Sequence, residues 1–106
     1  MLMIPRHFRK TVTTAGTRER VHVGNLVTPT LDIQAESDNT GRVFIGDSQV
    51  SSTNCMATLG PGDSLSLVAA QYGGAGAQFN LSDFWIDVGT STDGAFFSAP
   101  QRKEDE

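Results

Sequence analysis

The feature that most constrains the fold of this chain is a block of short alternating strands between residues 31 and 67. In residues 31–35, Leu, Ile and Ala alternate with Asp and Gln, the pattern of an antiparallel strand with one buried face. The segments 37–41 and 60–63 are rich in Gly, Pro, Asp, Asn and Ser, which favour tight turns. Such frequent turns leave no room for long helices, so the chain is predicted to be all-β.

The same alternation continues along the chain and predicts about eight short strands. Eight strands with turns at these spacings are typical of an antiparallel β-sandwich or jelly roll. Short helical turns are predicted near residues 69–72 and 81–84. The predicted strands cover residues 10–14, 20–25, 31–35, 42–46, 54–59, 64–69, 83–88 and 95–98.

The length of the chain predicts one domain with a thin core. A domain of 106 residues buries about 60–65% of the surface that its unfolded chain exposes, so oligomerisation would be a natural supplement to its stability. No apolar run approaches the roughly 20 residues of a membrane helix. Residues 1–5 are too short for the apolar core of a signal peptide. We therefore expect synthesis in the cytoplasm and no membrane partner.

The charges are divided unevenly along the chain. Residues 1–20 contain five basic residues and one glutamate, a net +4, so the other 86 residues carry −8 of the total of −4. A nucleic-acid binder usually concentrates basic charge on its folded surface, so no nucleic-acid partner is predicted. The pattern predicts a basic arm that docks on an acidic neighbour, for example another copy of the same protein.

Residues 1–10 are predicted to form an extended arm. Pro5 interrupts any helix, and ten extended residues span about 33 Å, enough to reach a neighbouring subunit. The alternative is a disordered terminus, but four large apolar side chains argue against it. The predicted division is therefore an arm and first strand over residues 1–20, a body over 21–99 and a charged tail over 100–106. The predicted interface residues of the arm are Leu2, Met3, Ile4, Arg6, Phe8, Arg9 and Lys10.

Two Gly-Asp-Ser segments, at residues 46–48 and 62–64, resemble the signature of a lipase and esterase family. In that family a downstream Asp-x-x-His pair activates the serine, which is a poor nucleophile without a base. The two histidines, His7 and His22, both precede the candidate serines. We interpret both segments as turns and predict that the chain is not an enzyme.

The residues that ligate metals are few and scattered. Cys55 is the single cysteine, and its place in the alternation with Ala57 predicts a small buried side chain. The aspartates at 83, 87 and 93 lack the spacing of an EF-hand loop. No metal or other cofactor is predicted.

The segment 83–88 places an aromatic residue on a polar strand face. Period two puts Phe84 and Ile86 on one face and Trp85 on the other, with two aspartates. Trp85 can anchor a protein interface, stack on a sugar ring, or lie under another segment of the chain. Tyr72, beside a glycine-rich loop, is predicted to join Trp85 in an interface patch.

Three segments in order along the chain, residues 33–48, 59–65 and 81–87, resemble small structural proteins of tailed bacteriophages. The resemblance covers roughly residues 30–98 and implies a β-sandwich component of the virion. Proteins of this kind decorate or cement an icosahedral capsid, often as trimers, and similar ones serve at the neck or tail. The resemblance brings no catalytic residues.

Together these observations predict a capsid decoration protein located in the virion, with the major capsid protein and its own copies as partners. The expected assembly is a homotrimer in which residues 1–20 clamp a neighbour or the shell. Two alternatives remain open: a low-copy neck, tail or baseplate component, and a carbohydrate-binding module that uses Trp85 and Tyr72.

Overall fold

The structure, a computed structural model, describes residues 2–102. One short helix, α1 (Ala70–Gly73), and a 3-10 turn (Leu81–Asp83) accompany the strands of this part of the chain. No helix among these residues has the length and apolarity needed to cross a membrane. The strands are β1 (Met3–Ile4), β2 (His7–Thr11), β3 (Glu19–Arg20), β4 (Val27–Thr28), β5 (Thr30–Ala35), β6 (Val43–Gly46), β7 (Ala57–Leu59), β8 (Ser64–Val68), β9 (Phe79–Asn80), β10 (Trp85–Val88), β11 (Gly94–Ser98) and β12 (Gln101–Arg102).

Eight of the strands form two four-stranded antiparallel sheets. Sheet I has the order β2-β11-β5-β8, and sheet II has the order β3-β10-β6-β7. Counted along the chain within these eight, the first strand pairs with the last, the second with the seventh, the third with the sixth and the fourth with the fifth. This nested pairing, divided over two packed sheets, is the jelly-roll arrangement. The prediction of an all-β sandwich or jelly roll is confirmed.

The core lies between the inner faces of the two sheets. Leu31 and Ile33 of β5 meet Val43 and Ile45 of β6 there, and all four side chains are fully buried. Full burial of one such aliphatic side chain stabilises the fold by about 2 kcal/mol. The alternation that the sequence shows over residues 31–35 therefore fixes which face of sheet I is buried.

Local turn chemistry fixes the passage from sheet II to sheet I at residues 60–63. The Asp63 N–H donates to the Gly60 carbonyl oxygen at 2.9 Å. Gly62 has φ +80°, the conformation that a type II turn needs at its third position, and Pro61 occupies the position before it. The predicted turn is confirmed, as are the two short helical turns.

The N-terminal strands differ from their prediction. β2 begins at His7 rather than Lys10, and the predicted strand 20–25 is limited to β3, because the chain leaves sheet II after Val21. Val21 is buried but Val23 is 83% exposed, so the alternation of buried and exposed residues expected for a strand over 20–25 does not continue past Val21. The alternation in the sequence identified a strand near residue 20, but it did not show where the pairing of that strand with β10 ends.

Residues 7–10 of the predicted arm, which was expected over residues 1–10, belong to strand β2 of the body. β2 pairs with β11 over five residues, as the edge strand of sheet I. The two backbones come so close at Gly94 that an added Cβ would collide with the Lys10 carbonyl. Of the predicted arm, the segment before β2 lies outside the two main sheets, and its strand β1 pairs with β12.

Candidate functional site

The outer face of sheet I is open and carries one exposed aromatic ring among polar side chains. Strand register places Phe96 beside Gln34, and Gln34 beside Ser64. In the next row, Ser98 lies beside Asp32, and Asp32 beside Ser66. We call these six residues the Phe96 face. They line an open depression of about 370 Å³, in which Phe96 is 47% exposed.

An internal ion pair borders the Phe96 face. Arg9, which lies beside Phe96 on β2, places its Nε 2.9 Å from the Glu36 carboxylate. The hydrogen bond to Glu36 and the negative charge of that carboxylate raise the pKa of Arg9. Arg9 was predicted to contact an external acidic partner, but in the structure it forms an ion pair with Glu36 of its own chain.

The centre of the outer face of sheet II, on the strands β10 and β6, is covered by other segments of the chain. Phe44 of β6 points away from the core yet is only 8% exposed, and Asp87 of β10 is 3% exposed. Asp87 Oδ1 accepts hydrogen bonds from the Gly16 N–H at 3.0 Å and from the Val88 N–H at 2.8 Å. We call residues 12–18, which bring Gly16 to this face, the cover segment.

Trp85 also lies on the outer side of sheet II. It is partly buried, and the Arg20 guanidinium carbon is 5.2 Å from the centroid of its ring. Arg20 and Trp85 are directly paired across β3 and β10. A cation over an indole face at this distance is attracted by the ring quadrupole. The structure thus gives Trp85 a partner from its own chain.

Tyr72 has a different environment from Trp85. Its ring is 67% exposed and lies 6.0 Å from the Phe79 ring. Phe79 in turn contacts Phe84 at 5.6 Å, and Phe84 belongs to the core between the sheets. The contacts of Tyr72 therefore lead to the inner side of the sandwich, whereas those of Trp85 are on the outer side. The predicted patch shared by the two rings is not supported by these contacts.

The predicted arm residues are divided between the body and its end. Phe8 stacks on Phe97 at 5.4 Å and packs against the core. Lys10 Nζ donates to Glu19 Oε1 at 2.9 Å, so its charge is paired within the chain. That contact, together with the hydrogen bond from the Thr13 N–H, lowers the pKa of Glu19.

The terminal ribbon consists of β1 with the preceding Leu2, paired with β12. Met3 lies opposite Arg102, and Ile4 lies opposite Gln101. The side chains of Leu2 and Met3 are 56% and 43% exposed, and Ile4 is half-buried. Within the described residues, the ribbon is a separate two-stranded sheet, so its outer strand edges are unpaired. Arg6, between the ribbon and β2, is exposed.

The two Gly-Asp-Ser segments form local turns. Asp47 Oδ1 accepts from the Gln49 N–H at 2.9 Å, and Asp63 Oδ2 accepts from the Gly60 N–H at 3.0 Å. The two histidine rings each contact a main-chain oxygen, His7 that of Pro5 and His22 that of Gly24.

The metal-ligating residues are dispersed, and residues 2–102 contain no group of three or more His, Cys, Asp or Glu side chains that could hold a metal. Cys55 is half-buried, with its Sγ 3.2 Å from Thr58 Oγ1, so the prediction of a buried side chain is wrong. It precedes β7, so it lies beyond the end of the strand whose alternation was expected to bury it.

Sequence reasoning did not single out Phe96, although a signal was present. Phe96 and Phe97 are adjacent in one predicted strand, and adjacent strand residues point to opposite faces. Phe97 is fully buried, so Phe96 must face outward. The sequence did not show that the Phe96 ring stays uncovered, whereas other segments of the chain cover the Phe44 ring.

Comparisons of the chain with models of protein families, with curated proteins and with solved structures find no match. A functional proposal therefore depends on the surfaces described above.

Proposed function

We propose that this chain is a structural protein of a tailed-phage virion: a capsid decoration protein that binds the outer shell as a homotrimer. The resemblance of the ordered strand segments supports this class of protein. The jelly-roll arrangement is compatible with it, since this architecture recurs in viral capsid proteins. Its partners would be the major capsid protein and further copies of the chain.

The observation that carries the proposal is the terminal ribbon. It presents exposed apolar side chains, Leu2 and Met3, on a strand pair with unpaired outer edges. An open strand edge can add a strand from a partner, with main-chain hydrogen bonds giving affinity and flanking side chains giving specificity. Burying one large apolar side chain contributes about 2 kcal/mol. A partner that binds only the assembled shell stabilises it by mass action.

Of the predicted arm, residues 2–4 are the part in which docking can be tested without removing a strand of the main sheets. Residues 7–10 belong to sheet I, so their deletion would remove an edge strand together with any docking function. The ribbon residues 2–4 lie outside the two main sheets. Docking is therefore best tested by changing side chains there.

The test is the variant Leu2→Asp/Met3→Asp, mixed with capsids that lack the protein. We expect its occupancy on purified particles, measured by quantitative mass spectrometry, to fall at least tenfold. Val23→Asp is the matched control, because it makes the same kind of change at a side chain that is 83% exposed but lies outside the ribbon. Wild-type occupancy of the double variant would contradict docking by the ribbon.

The copy number of the wild-type protein per particle separates decoration from the neck, tail or baseplate alternative. Hundreds of copies support decoration, whereas a ring of about three to twelve copies places the protein at the neck or tail. Absence from the particle rejects the virion assignment. A carbohydrate site built from Trp85 and Tyr72 is not proposed, because their contacts lie on different sides of the sandwich.

A further inference from the structure

We propose that the Phe96 face binds a neutral carbohydrate. The proposal goes beyond the virion assignment, since it concerns the outer face of sheet I rather than the terminal ribbon. It depends on three features of that face: its geometry, its exposed ring and its unused polar groups.

The Phe96 face is a regular grid on a rigid support. Its six residues form two rows of three on the adjacent strands β11, β5 and β8. Adjacent strands are about 4.8 Å apart, and successive outward residues along a strand are about 7 Å apart, so the grid measures about 10 by 7 Å. This area suits one or two sugar rings laid flat. Of the intervening inward residues, Ile33 and Phe97 are fully buried, and Leu65 is partly buried against the core, so the three strands are held in place.

The aromatic ring supplies an apolar platform. Phe96 occupies a corner of the grid and is 47% exposed, although the neighbouring side chains of the grid are polar. Exposed apolar surface is unfavourable in water, and a sugar ring offers a complementary apolar C–H face. Stacking on the negative face of the phenyl ring removes both surfaces from water.

The polar residues supply hydrogen-bonding groups of both kinds. Asp32 is an acceptor, Gln34 is a donor and an acceptor, and the serines at 64, 66 and 98 can act as either. None of these five side chains hydrogen-bonds to another part of residues 2–102, where the side-chain hydrogen bonds lie at other places such as Asn39, Asp87 and Asp93. Adjacent donors and acceptors match the vicinal hydroxyl groups of a sugar.

The charge of the face selects the class of carbohydrate. Asp32 is the charged residue of the grid and lies at the centre of its row, between Ser98 and Ser66. The cation at the border of the grid, Arg9 beside Phe96, is paired with the Glu36 carboxylate. The Asp32 carboxylate repels uronic acids and sulfated sugars but accepts hydrogen bonds from neutral ones. A protein partner is disfavoured by the same composition, because the centres of protein interfaces are depleted of charge and contain more apolar area than one phenyl ring.

The proposal is tested by affinity electrophoresis of the full chain in native gels that each contain one polysaccharide. Dextran, galactomannan and laminarin serve as neutral probes, and polygalacturonate and hyaluronan as anionic ones. We expect retardation by at least one neutral probe and none by the anionic probes. Retardation by no neutral probe, or equal retardation by the anionic ones, would overturn the proposal.

Side-chain variants then locate the site with the neutral probe that binds. Phe96→Ala should weaken binding by about tenfold, and Asp32→Ala by about fivefold. Tyr72→Ala is the matched control, since it removes a ring that is 67% exposed outside the grid, and it should bind like the wild type. Loss of binding in Tyr72→Ala but not in Phe96→Ala would refute the assignment.

Two further measurements separate this site from other outcomes. Phe96→Ala should occupy capsids as well as the wild type does, so failure of sugar binding and failure of capsid docking are distinguishable. Analytical ultracentrifugation of the wild type and of Phe96→Ala tests self-association. An oligomer that dissociates in Phe96→Ala, without sugar binding by the wild type, would show that the face is a contact between copies and overturn the proposal.

Discussion

The two outer faces of this jelly roll differ in a way that their strand sequences do not show. Each carries an outward phenylalanine and an outward aspartate: Phe96 and Asp32 on sheet I, Phe44 and Asp87 on sheet II. The first pair is exposed, whereas Phe44 and Asp87 are 8% and 3% exposed. The difference comes from chain outside the strands, because residues 12–18 bring the Gly16 N–H to Asp87.

This comparison separates two contributions to burial. Period-two alternation decides which side of a sheet a residue occupies. Whether the outer side is open depends on where a loop folds back, which is a long-range property. Loops also cover the end of β6, where a Cβ added to Gly46 would lie 3.0 Å from the Val50 Cγ2. One jelly roll can therefore use one face for stability and leave the other available for binding.

The largest expected difference in stability between the two faces comes from replacing each phenylalanine with alanine. Phe44→Ala should lower the free energy of unfolding by about 3 kcal/mol, because it leaves a cavity under covering chain. Phe96→Ala, on the open face, should cost less than about 1 kcal/mol. Urea denaturation of both variants measures the difference. Equal losses would show that the two faces are not distinct in packing.

Replacing the two aspartates with alanine should give a smaller difference in the free energy of unfolding. Asp87→Ala leaves the Gly16 N–H without its acceptor and should cost about 2 kcal/mol. Asp32 is exposed, so Asp32→Ala should change the free energy of unfolding by less than about 0.5 kcal/mol. Hydrogen exchange at the Gly16 amide is the local measurement, and it should accelerate in Asp87→Ala alone. Unchanged protection of Gly16 would contradict its assigned bond.

The stabilisation that Glu19 provides, through its contacts with Lys10 and with Thr13 of the cover segment, should depend on pH. Glu19 of β3 accepts from Lys10 of β2 and from the Thr13 N–H, contacts that lower its pKa. A lowered pKa in the folded state means that the ionised carboxylate stabilises the fold above its ordinary pKa, and that this contribution disappears as the pH falls through the folded value. Glu19→Gln should therefore cost about 0.5–1 kcal/mol at pH 7.

That cost should diminish as the pH falls below the ordinary glutamate pKa of about 4.3. Thermal unfolding of Glu19→Gln and the wild type, compared from pH 7 down to pH 3, measures it. A cost that is independent of pH would mean that the contacts of Glu19 do not require its charge.

The smallest effect on stability is expected at Arg20. Arg20→Ala removes the cation over Trp85 and should cost less than about 1 kcal/mol. Because Trp85 is the single tryptophan, its fluorescence reports this site alone. Acrylamide should quench it more strongly in Arg20→Ala than in the wild type or in the control Arg18→Ala. Identical quenching in all three would show that Arg20 does not shield the ring.

Much of the fold could be predicted from the sequence where local patterns were strong. The alternation in residues 31–35 and the Gly-Pro-Gly turn identified β5 and the passage into β8, and both are confirmed. The assignment failed for residues 7–9, which belong to β2, because the partner of β2 is β11, more than eighty residues later in the chain. No local pattern distinguishes an arm that leaves the body from an edge strand that closes it.

The surfaces were harder to predict than the strands. Trp85 was recognised as outward-facing, but its pairing with Arg20 depends on the register between β3 and β10. Phe96 was overlooked because an exposed ring is defined by the absence of covering chain. Such information is contained in tertiary contacts rather than in the order of residues along one strand.

The nested strand pairing has a consequence for how the chain folds. The innermost pair, β6 and β7, is separated by residues 47–56, whereas the outermost pair, β2 and β11, is separated by residues 12–93. Closing a longer loop costs more entropy and is slower. We expect the middle of the chain to fold first and β11 to be among the last strands added. Since β11 carries Phe96 and leads to the ribbon, a newly made chain would acquire both of its proposed binding surfaces only after its body has closed.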